Sequence, residues 1–204
     1  MKNFEKLQNL LPLGYLFLIL LGIAKEAIFY YQIGINIIRY SSIMDILISP
    51  IAAMTSHPVF FITISVLFVF FYNLPQILLK NEKRKWLYKM VGIESDNNLF
   101  TLSQEEKKEY CDTLSLKFLG IFLISFFLGY GFADGRFVSK KIKNNQLHYD
   151  YKLNFNDEKS ESVYIIGSNT AYYFYLSKGD QIIKIAPVSS IKNLELVKNR
   201  MLDK

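Results

Sequence analysis

The sequence predicts a membrane α plus small β protein, in which three transmembrane helices precede a C-terminal five-stranded β domain. The first observation is a stretch of 34 residues, Ile46–Leu79, that contains no Asp, Glu, Lys or Arg. A charge-free apolar run of about 18 residues or more is long enough to cross the hydrocarbon core of a bilayer as a helix. Two further apolar runs lie before and after it, and the last third of the chain alternates apolar and polar residues instead.

The three apolar runs define a predicted membrane module of residues 1–135. The spans are expected at about residues 10–30, 59–79 and 114–133. Basic residues before the first span, Lys2 and Lys6, are also typical of a secretory signal peptide. Apolar residues resume directly after Lys25 and Glu26, which favours an uncleaved first span.

Residues 31–58, between the first two spans, are apolar but interrupted. Arg39 and Asp45 would each cost about 3 kcal/mol at the centre of a bilayer, and Pro50 breaks the pattern again. We therefore expect an interfacial or re-entrant helix along the outer surface of the membrane. A strained additional span is the alternative.

The loop of residues 80–113 predicts the orientation of the chain. It contains seven Lys and Arg residues, whereas residues 31–58 contain only Arg39. Cytoplasmic loops carry the excess of Lys and Arg, so we expect this loop in the cytoplasm, the C-terminal domain outside it, and the chain in a bacterial plasma (inner) membrane. Ser103 and Glu106 have the spacing of a capping box, which favours a cytoplasmic helical hairpin. Four basic residues after the third span oppose this orientation: Arg136, Lys140, Lys141 and Lys143.

Residues 140–204 are predicted to form a small β domain. Residues 147–155 alternate strictly between apolar and polar side chains, as a half-buried strand does. Four more short strands are expected at residues 163–166, 171–176, 181–186 and 191–197. A single helical turn, Val188-Ser189-Ser190, precedes the last of them. This pattern resembles an SH3-like small β-barrel, with which several small bacterial membrane proteins end, and the resemblance implies a fold but no particular function.

No catalytic, metal-binding or cofactor-binding motif is recognisable in the sequence. The single cysteine, Cys111, excludes an intramolecular disulfide. The two histidines, His57 and His148, belong to different modules, so no shared metal site is expected. No nucleic-acid recognition module accompanies the net charge of +6. We therefore expect no cofactor, no nucleic acid and no enzyme activity; an enzyme acting on lipid would depend on His57 with Asp45.

Candidate contact residues come from two patterns. Consecutive tyrosines in a predicted strand point to both of its faces, and basic residues beside a span attract anionic lipid. The candidates for contact with a partner or with lipid are Tyr172, Tyr173, Tyr175, Lys83, Arg84 and Lys85. Packing within the β domain is the alternative for the tyrosines.

Two pairs in the spans are also candidates. Ser125 and Gly129 have the small-xxx-small spacing that lets helices approach closely. Lys25 and Glu26 form either an ion or relay site within the membrane or an ordinary interfacial pair.

The predicted architecture favours a non-enzymatic membrane protein that recognises a partner through its small β domain. It would act as an accessory, sensor or immunity/defence-type subunit, with the lipid bilayer and a protein partner or a second copy as its partners. The alternative is an oligomeric channel or a membrane-perturbing effector, because polar residues such as Asn73 and Gln76 lie within the spans.

Overall fold

The structure is a computed structural model that describes residues 2–55, 58–80 and 103–198. The helices in these ranges are α1 (Lys2–Tyr31), α2 (Ile43–Thr55), α3 (Pro58–Lys80) and α4 (Gln104–Lys143). The strands are β1 (Tyr151–Phe155), β2 (Ser160–Ser168), β3 (Tyr172–Ser177), β4 (Ile183–Pro187) and β5 (Ile191–Leu196). Single 3-10 turns occur at Ile37–Arg39 and Val188–Ser190.

Helices α1, α3 and α4 contain the three predicted spans. Within the described residues, Pro12–Tyr31 and Lys108–Lys143 are long and apolar enough to cross a membrane, and Phe61–Ile77 is a shorter apolar helix. The third span was expected to end near Ala133, but α4 continues to Lys143. The glycine-rich residues 129–135 are helical, and two of their glycines, Gly131 and Gly135, pack against α1.

The predicted hairpin of residues 80–113 lies mostly outside the described residues. Its second helix begins as the sequence predicts. The backbone N–H of Ser103 donates to Glu106 Oε2 over 2.8 Å, and the N–H of Glu106 donates to Ser103 Oγ over 3.3 Å. This reciprocal arrangement is the expected capping box.

The interrupted segment after α1 forms a 3-10 turn and then α2. Helix α2 has 13 residues, which makes it about 20 Å long, shorter than the hydrocarbon core of about 30 Å. Ser42 caps it, because its Oγ accepts from the N–H of Asp45 over 3.1 Å. The Asp45 carboxylate in turn accepts from the N–H of Ser42 over 2.8 Å.

Helices α1 and α4 end in the same way, with a residue in the left-handed conformation. Gly34 has a φ of 84° and follows α1, and Asn145 has a φ of 56° and follows α4. The N–H of Ile35 then donates to the carbonyl of Tyr30, five residues back. This Schellman geometry stops each helix sharply and turns the chain toward the sheet.

The five strands form one antiparallel sheet in the order β4-β3-β2-β1-β5. The predicted number of strands and the helical turn before the last one are confirmed. The first strand is shorter than expected, since pairing to β2 and β5 begins only at Tyr151.

The predicted closure into an SH3-like barrel is not seen. Strands β4 and β5 are the two edges of the sheet, and the described residues show no pairing between them. Only Val188–Ser190 connects these edges, so the sheet is curled at this end. Pro187 ends β4 without an N–H, and a proline in a strand is compatible only with an edge position.

Both faces of the sheet are apolar. One face packs Leu153, Val163, Tyr175 and Ala186 together. The other face carries Phe174, which is fully buried and packs with residues from the ends of α1 and α4: Phe29, Tyr30, Ile35, Ile37 and Val138. The Tyr30 and Phe174 rings lie 5.2 Å apart. The sheet therefore rests on the ends of these two helices.

The chain divides into two compact units. One unit, Met1–Pro50 with Phe127–Lys204, contains the sheet and the helix ends that cover it. The other unit, Ile51–Phe126, contains α3 and the first part of α4. In the second unit the rings of Phe71 and Phe122 stack with their centroids 4.6 Å apart.

Candidate functional site

A groove of about 510 Å³ lies between the loop that follows α1 and the edge strand β4. The Schellman turn at Gly34 forms one end of this loop, and the burial of Ile35 and Ile37 anchors it against the sheet. Ile183 and Ile185 of β4 line the opposite wall. Both walls of the groove therefore belong to the same compact unit.

The polar lining of the groove comes from three side chains, Asn36, Arg39 and Gln181. Arg39 is exposed, and its guanidinium forms no ion pair within the described part of the chain. A guanidinium presents several donors in a planar fork that matches a carboxylate or a phosphate. The groove thus combines apolar walls with one cation that is available to an anionic group.

The edge of β4 lies directly beside the groove. Strand β4 pairs with β3 from Ile183 opposite Leu176 to Pro187 opposite Tyr172. No strand covers its other edge within the described residues. An uncovered edge presents backbone N–H and C=O groups to an incoming chain.

Asp45 and Asn169 fix this loop to the sheet. The N–H and hydroxyl of Thr170 donate to the two Asp45 carboxylate oxygens over 3.0 and 3.1 Å. The Asn169 amide donates to the carbonyl of Tyr40 over 3.0 Å. Partial burial raises the pKa of Asp45, but hydrogen bonds from Ser42 and Thr170 outweigh it and hold that pKa below its ordinary value. Asp45, which interrupts the apolar segment in the sequence, therefore joins α2 to the β2–β3 turn.

A second polar cluster lies on the sheet and involves Ser177, Glu161 and Lys184. The Ser177 hydroxyl donates to the Glu161 carboxylate. Lys184 Nζ lies 3.1 Å from Glu161 Oε2 and 2.9 Å from Ser177 Oγ. A serine beside a lysine can act as a nucleophile when the amine is neutral and takes the hydroxyl proton.

The charges around Lys184 oppose that chemistry. The hydrogen bond to Glu161 raises the pKa of Lys184, and nearby carboxylates add to this effect. The hydrogen bond from Ser177 lowers the pKa of Glu161. Protonated Lys184 is a poor base, and the hydrogen bonds of the cluster link β2, β3 and β4.

Lys25 and Glu26 are brought together with Ser49 of α2. Lys25 Nζ lies 2.7 Å from Glu26 Oε1, and Ser49 Oγ donates to the same oxygen over 2.7 Å. Lys25 is only 9% exposed, and its ammonium lies 5.6 Å from the centre of the Tyr130 ring. The Lys25–Glu26 ion pair of α1 is thus joined to α2 by the hydrogen bond from Ser49.

Alternation along β3 separates the three tyrosine candidates, as expected for a strand. Tyr172 lies on the helix-covered face, where its ring meets that of Tyr40 at 5.5 Å. Tyr173 is on the opposite face, and Tyr175 is buried there beside Phe155. Their contact with a partner or with lipid stays a prediction. The basic candidates, which are Lys83, Arg84 and Lys85, lie outside the described residues, as does His57.

The close helix contact is made by glycines that sequence reasoning did not select. A Cβ on Gly129 would meet no atom within 4 Å, and Ser125 is exposed. A Cβ on Gly131 would lie 2.6 Å from the carbonyl oxygen of Lys25, and one on Gly135 would lie 2.8 Å from that of Phe29. The four-residue spacing of Gly131 and Gly135 was the available signal.

The groove, its Arg39 and the edge of β4 that no described strand covers are adjacent features of one compact unit. Sequence reasoning missed this site, because its two walls are about 150 residues apart in the chain. Comparisons with protein-family models, with curated proteins and with solved structures find no match for this chain.

Proposed function

We propose that this chain is a non-enzymatic integral membrane protein that recognises a partner protein through the groove and the edge of β4. The observation that carries the proposal is the position of the Arg39 guanidinium beside the edge of β4. Among the described residues, the guanidinium has no ion-pair partner and no strand covers that edge. An extended segment of the partner would add to β4 as a sixth strand. Backbone hydrogen bonds then supply affinity, and pockets for alternate side chains supply specificity.

The groove fits this mode of recognition in two ways. Ile183 and Ile185 are two residues apart, so they project to the same face and would contact alternate side chains of the added segment. Arg39, on the other wall, would bind a carboxylate of that segment. The expected partner segment is therefore extended, apolar at alternate positions and acidic at one of the others.

A membrane location is supported by the apolar surfaces of the helices. Large exposed apolar patches mark interfaces with membranes or partners. Exposed large apolar side chains follow one another along α1, α3 and α4, including Leu16, Leu20, Phe61, Ile62, Val66, Phe68, Val69, Ile121 and Ile124.

The direction of α1 and α4 supports three crossings. Gly131 lies against Lys25 and Gly135 against Phe29, so residue numbers rise together and the two helices run in the same direction. Two spans in the same direction need an odd number of crossings between them. Helix α3, with 23 residues, is about 35 Å long and can supply one crossing, whereas α2 is too short.

The proposed location is a plasma (inner) membrane, with the basic loop of residues 80–113 in the cytoplasm. The sheet and its groove then lie outside the cytoplasm, so the partner would be an envelope or extracellular protein. Within this arrangement the chain acts as an accessory, sensor or immunity/defence-type subunit. Reporter fusions after Lys80 and after Lys198 test the orientation, and we expect cytoplasmic signal only from the first.

Site-specific photo-cross-linking in native membranes tests the recognition. A photoreactive residue in place of Gln181, on the groove, should give an adduct that mass spectrometry identifies as an extended segment of another protein. The same residue in place of Lys192, on the opposite edge of the sheet, is the matched control. Arg39→Ala should weaken the Gln181 adduct.

Three results would contradict the proposal. They are equal adducts from both positions, an absence of adducts at Gln181, and an adduct that Arg39→Ala leaves unchanged. An adduct formed only with a second copy of this chain would instead assign the groove to self-association.

A further inference from the structure

The end of α4 carries a basic stripe formed by Arg136, Lys140 and Lys143. These positions are separated by four and three residues, so they lie on one face of the helix. All three side chains are exposed. Val138 and Ile142, on the opposite face, pack into the apolar cluster under the sheet. The stripe therefore faces away from the sheet.

The three basic side chains give the stripe a positive charge. No ion pair involves its three residues in the part of the chain that the structure describes. The neighbouring Lys141 is directed instead to the ring of Phe137, with 4.3 Å between its ammonium and the ring centre. Phe137 is itself exposed, so an apolar and a cationic surface lie side by side.

The stripe also continues the apolar surface of the proposed span. Phe132 precedes Arg136 by one turn on the same face and is exposed. Counted along the helix from Ala133, the three basic residues lie at about 5, 11 and 15 Å. The headgroup layer begins at the end of the hydrocarbon core and is about 6–8 Å thick, and the long side chains can reach it from these heights.

We propose that this basic stripe binds the phosphate groups of anionic phospholipids in the leaflet on the side of the sheet. The inference rests on the proposed membrane location but not on recognition through the groove. Each Lys or Arg near an anionic membrane contributes about fivefold to binding. Three such charges would favour anionic over zwitterionic lipid by up to about 100-fold at this site.

The test uses the full chain in nanodiscs with a reporter beside the stripe. In a Cys111→Ser background, Phe132→Cys carries a bimane label, which brominated phosphatidylglycerol or brominated phosphatidylcholine quenches. We expect phosphatidylglycerol to be preferred by about fivefold or more at low salt. Arg136→Gln, Lys140→Gln and Lys143→Gln combined should bring the preference close to one.

The matched control removes three exposed lysines elsewhere, with Lys178→Gln, Lys192→Gln and Lys198→Gln combined. Its preference should equal that of the parent, and circular dichroism should show all variants folded. Raising the salt to about 0.5 M should reduce the parent preference, because the screening length then falls below about 5 Å. Replacing chloride by inorganic phosphate at equal ionic strength should change nothing.

Four results would overturn the inference. A preference that survives the stripe variant, or that the control variant also removes, means that the stripe does not select lipid. A specific loss in inorganic phosphate would assign the stripe to a soluble anion. An absence of quenching by either lipid would refute the membrane location itself, whereas failure of the groove cross-link would leave the lipid preference intact.

Discussion

Replacing Gly131 by alanine should loosen the contact between α1 and α4. The added Cβ would lie 2.6 Å from the Lys25 carbonyl oxygen and 3.2 Å from the Lys25 carbonyl carbon and Cα. Nonbonded heavy atoms prefer about 3.5 Å or more, so the helices would have to separate by roughly 1 Å. These atoms belong to the backbone of α1 and cannot rotate away. Overpacking of this kind costs about 1–3 kcal/mol.

Gly129→Ala is the control that isolates this cost. Both substitutions gain up to about 1 kcal/mol of helix propensity, which cancels when the two variants are compared. Gly129 has open space around its Cα, so no overpacking accompanies the change there. The difference in the free energy of unfolding between the two variants should therefore be about 1–3 kcal/mol, with Gly131→Ala less stable.

The assay is unfolding of the detergent-solubilised full chain by sodium dodecyl sulfate, followed by circular dichroism. Gly135→Ala gives a second reading, because its Cβ would meet the Phe29 carbonyl at 2.8 Å. If both Gly131→Ala and Gly135→Ala match Gly129→Ala within about 0.3 kcal/mol, the close approach of these helices contributes nothing and the reasoning is refuted. Failure of Gly131→Ala alone to fold would leave Gly135→Ala as the measurement.

Three further predictions concern the sheet and its attachments. Asp45→Asn should lower the free energy of unfolding by about 1 kcal/mol at pH 7, since Ser42 and Thr170 donate to its carboxylate. Burial raises the pKa of Asp45, but the hydrogen bonds from Ser42 and Thr170 outweigh this effect, so the folded pKa is lowered. The difference in the free energy of unfolding between the parent and Asp45→Asn should therefore be complete above about pH 4 and should disappear as the pH falls through the folded pKa. Glu161→Gln should show the same pH dependence, because the hydrogen bond from Ser177 lowers the pKa of Glu161; a difference independent of pH would contradict either assignment. Residues 144–204 alone should bind a hydrophobic dye that the full chain excludes, because their Phe174 face is then uncovered; a soluble, dye-free sheet would show that the helix ends are dispensable.

The strands of the sheet could be predicted because their signal is local. Alternation and turn residues lie within short windows, and they predict five strands and the helical turn at Val188–Ser190. Closure could not be predicted in this way. It depends on what covers each face, and the residues that cover Phe174, including Tyr30, belong to the first helix. Because the ends of α1 and α4 bury the Phe174 face, closure of the sheet into a barrel is not required to bury it.

The helix contact shows a second limit of local patterns. Ser125 with Gly129, and Gly131 with Gly135, both have the spacing of a close-packed pair. Gly131 lies two residues after Gly129, so it faces the opposite side of α4. The position of α1 places Gly131 and Gly135 at this contact, whereas helix packing through Ser125 and Gly129 stays a prediction. The glycine-dense residues 129–135 remain within α4.

Arg39 illustrates why the candidate site escaped detection. The sequence shows one cation in an apolar segment, which is informative about membrane insertion. Its place in a groove depends on β4, which comes much later in the sequence. The charge of Arg39 would cost free energy within a span. In the folded chain Arg39 is exposed and lies beside a strand edge that no described strand covers.

The groove and the helix pair are parts of one packed structure. The loop that forms one wall is the direct continuation of α1, and the ring of Phe174 joins the sheet to Tyr30 in the last turn of that helix. Gly131 and Gly135 set the distance of that helix from α4. A partner that binds the groove and prefers one spacing of the helices would therefore shift that spacing, by no more than the difference in its affinity for the two arrangements. Loss of groove cross-linking in Gly131→Ala, with Gly129→Ala unaffected, would show this coupling, and equal cross-linking in both would exclude it.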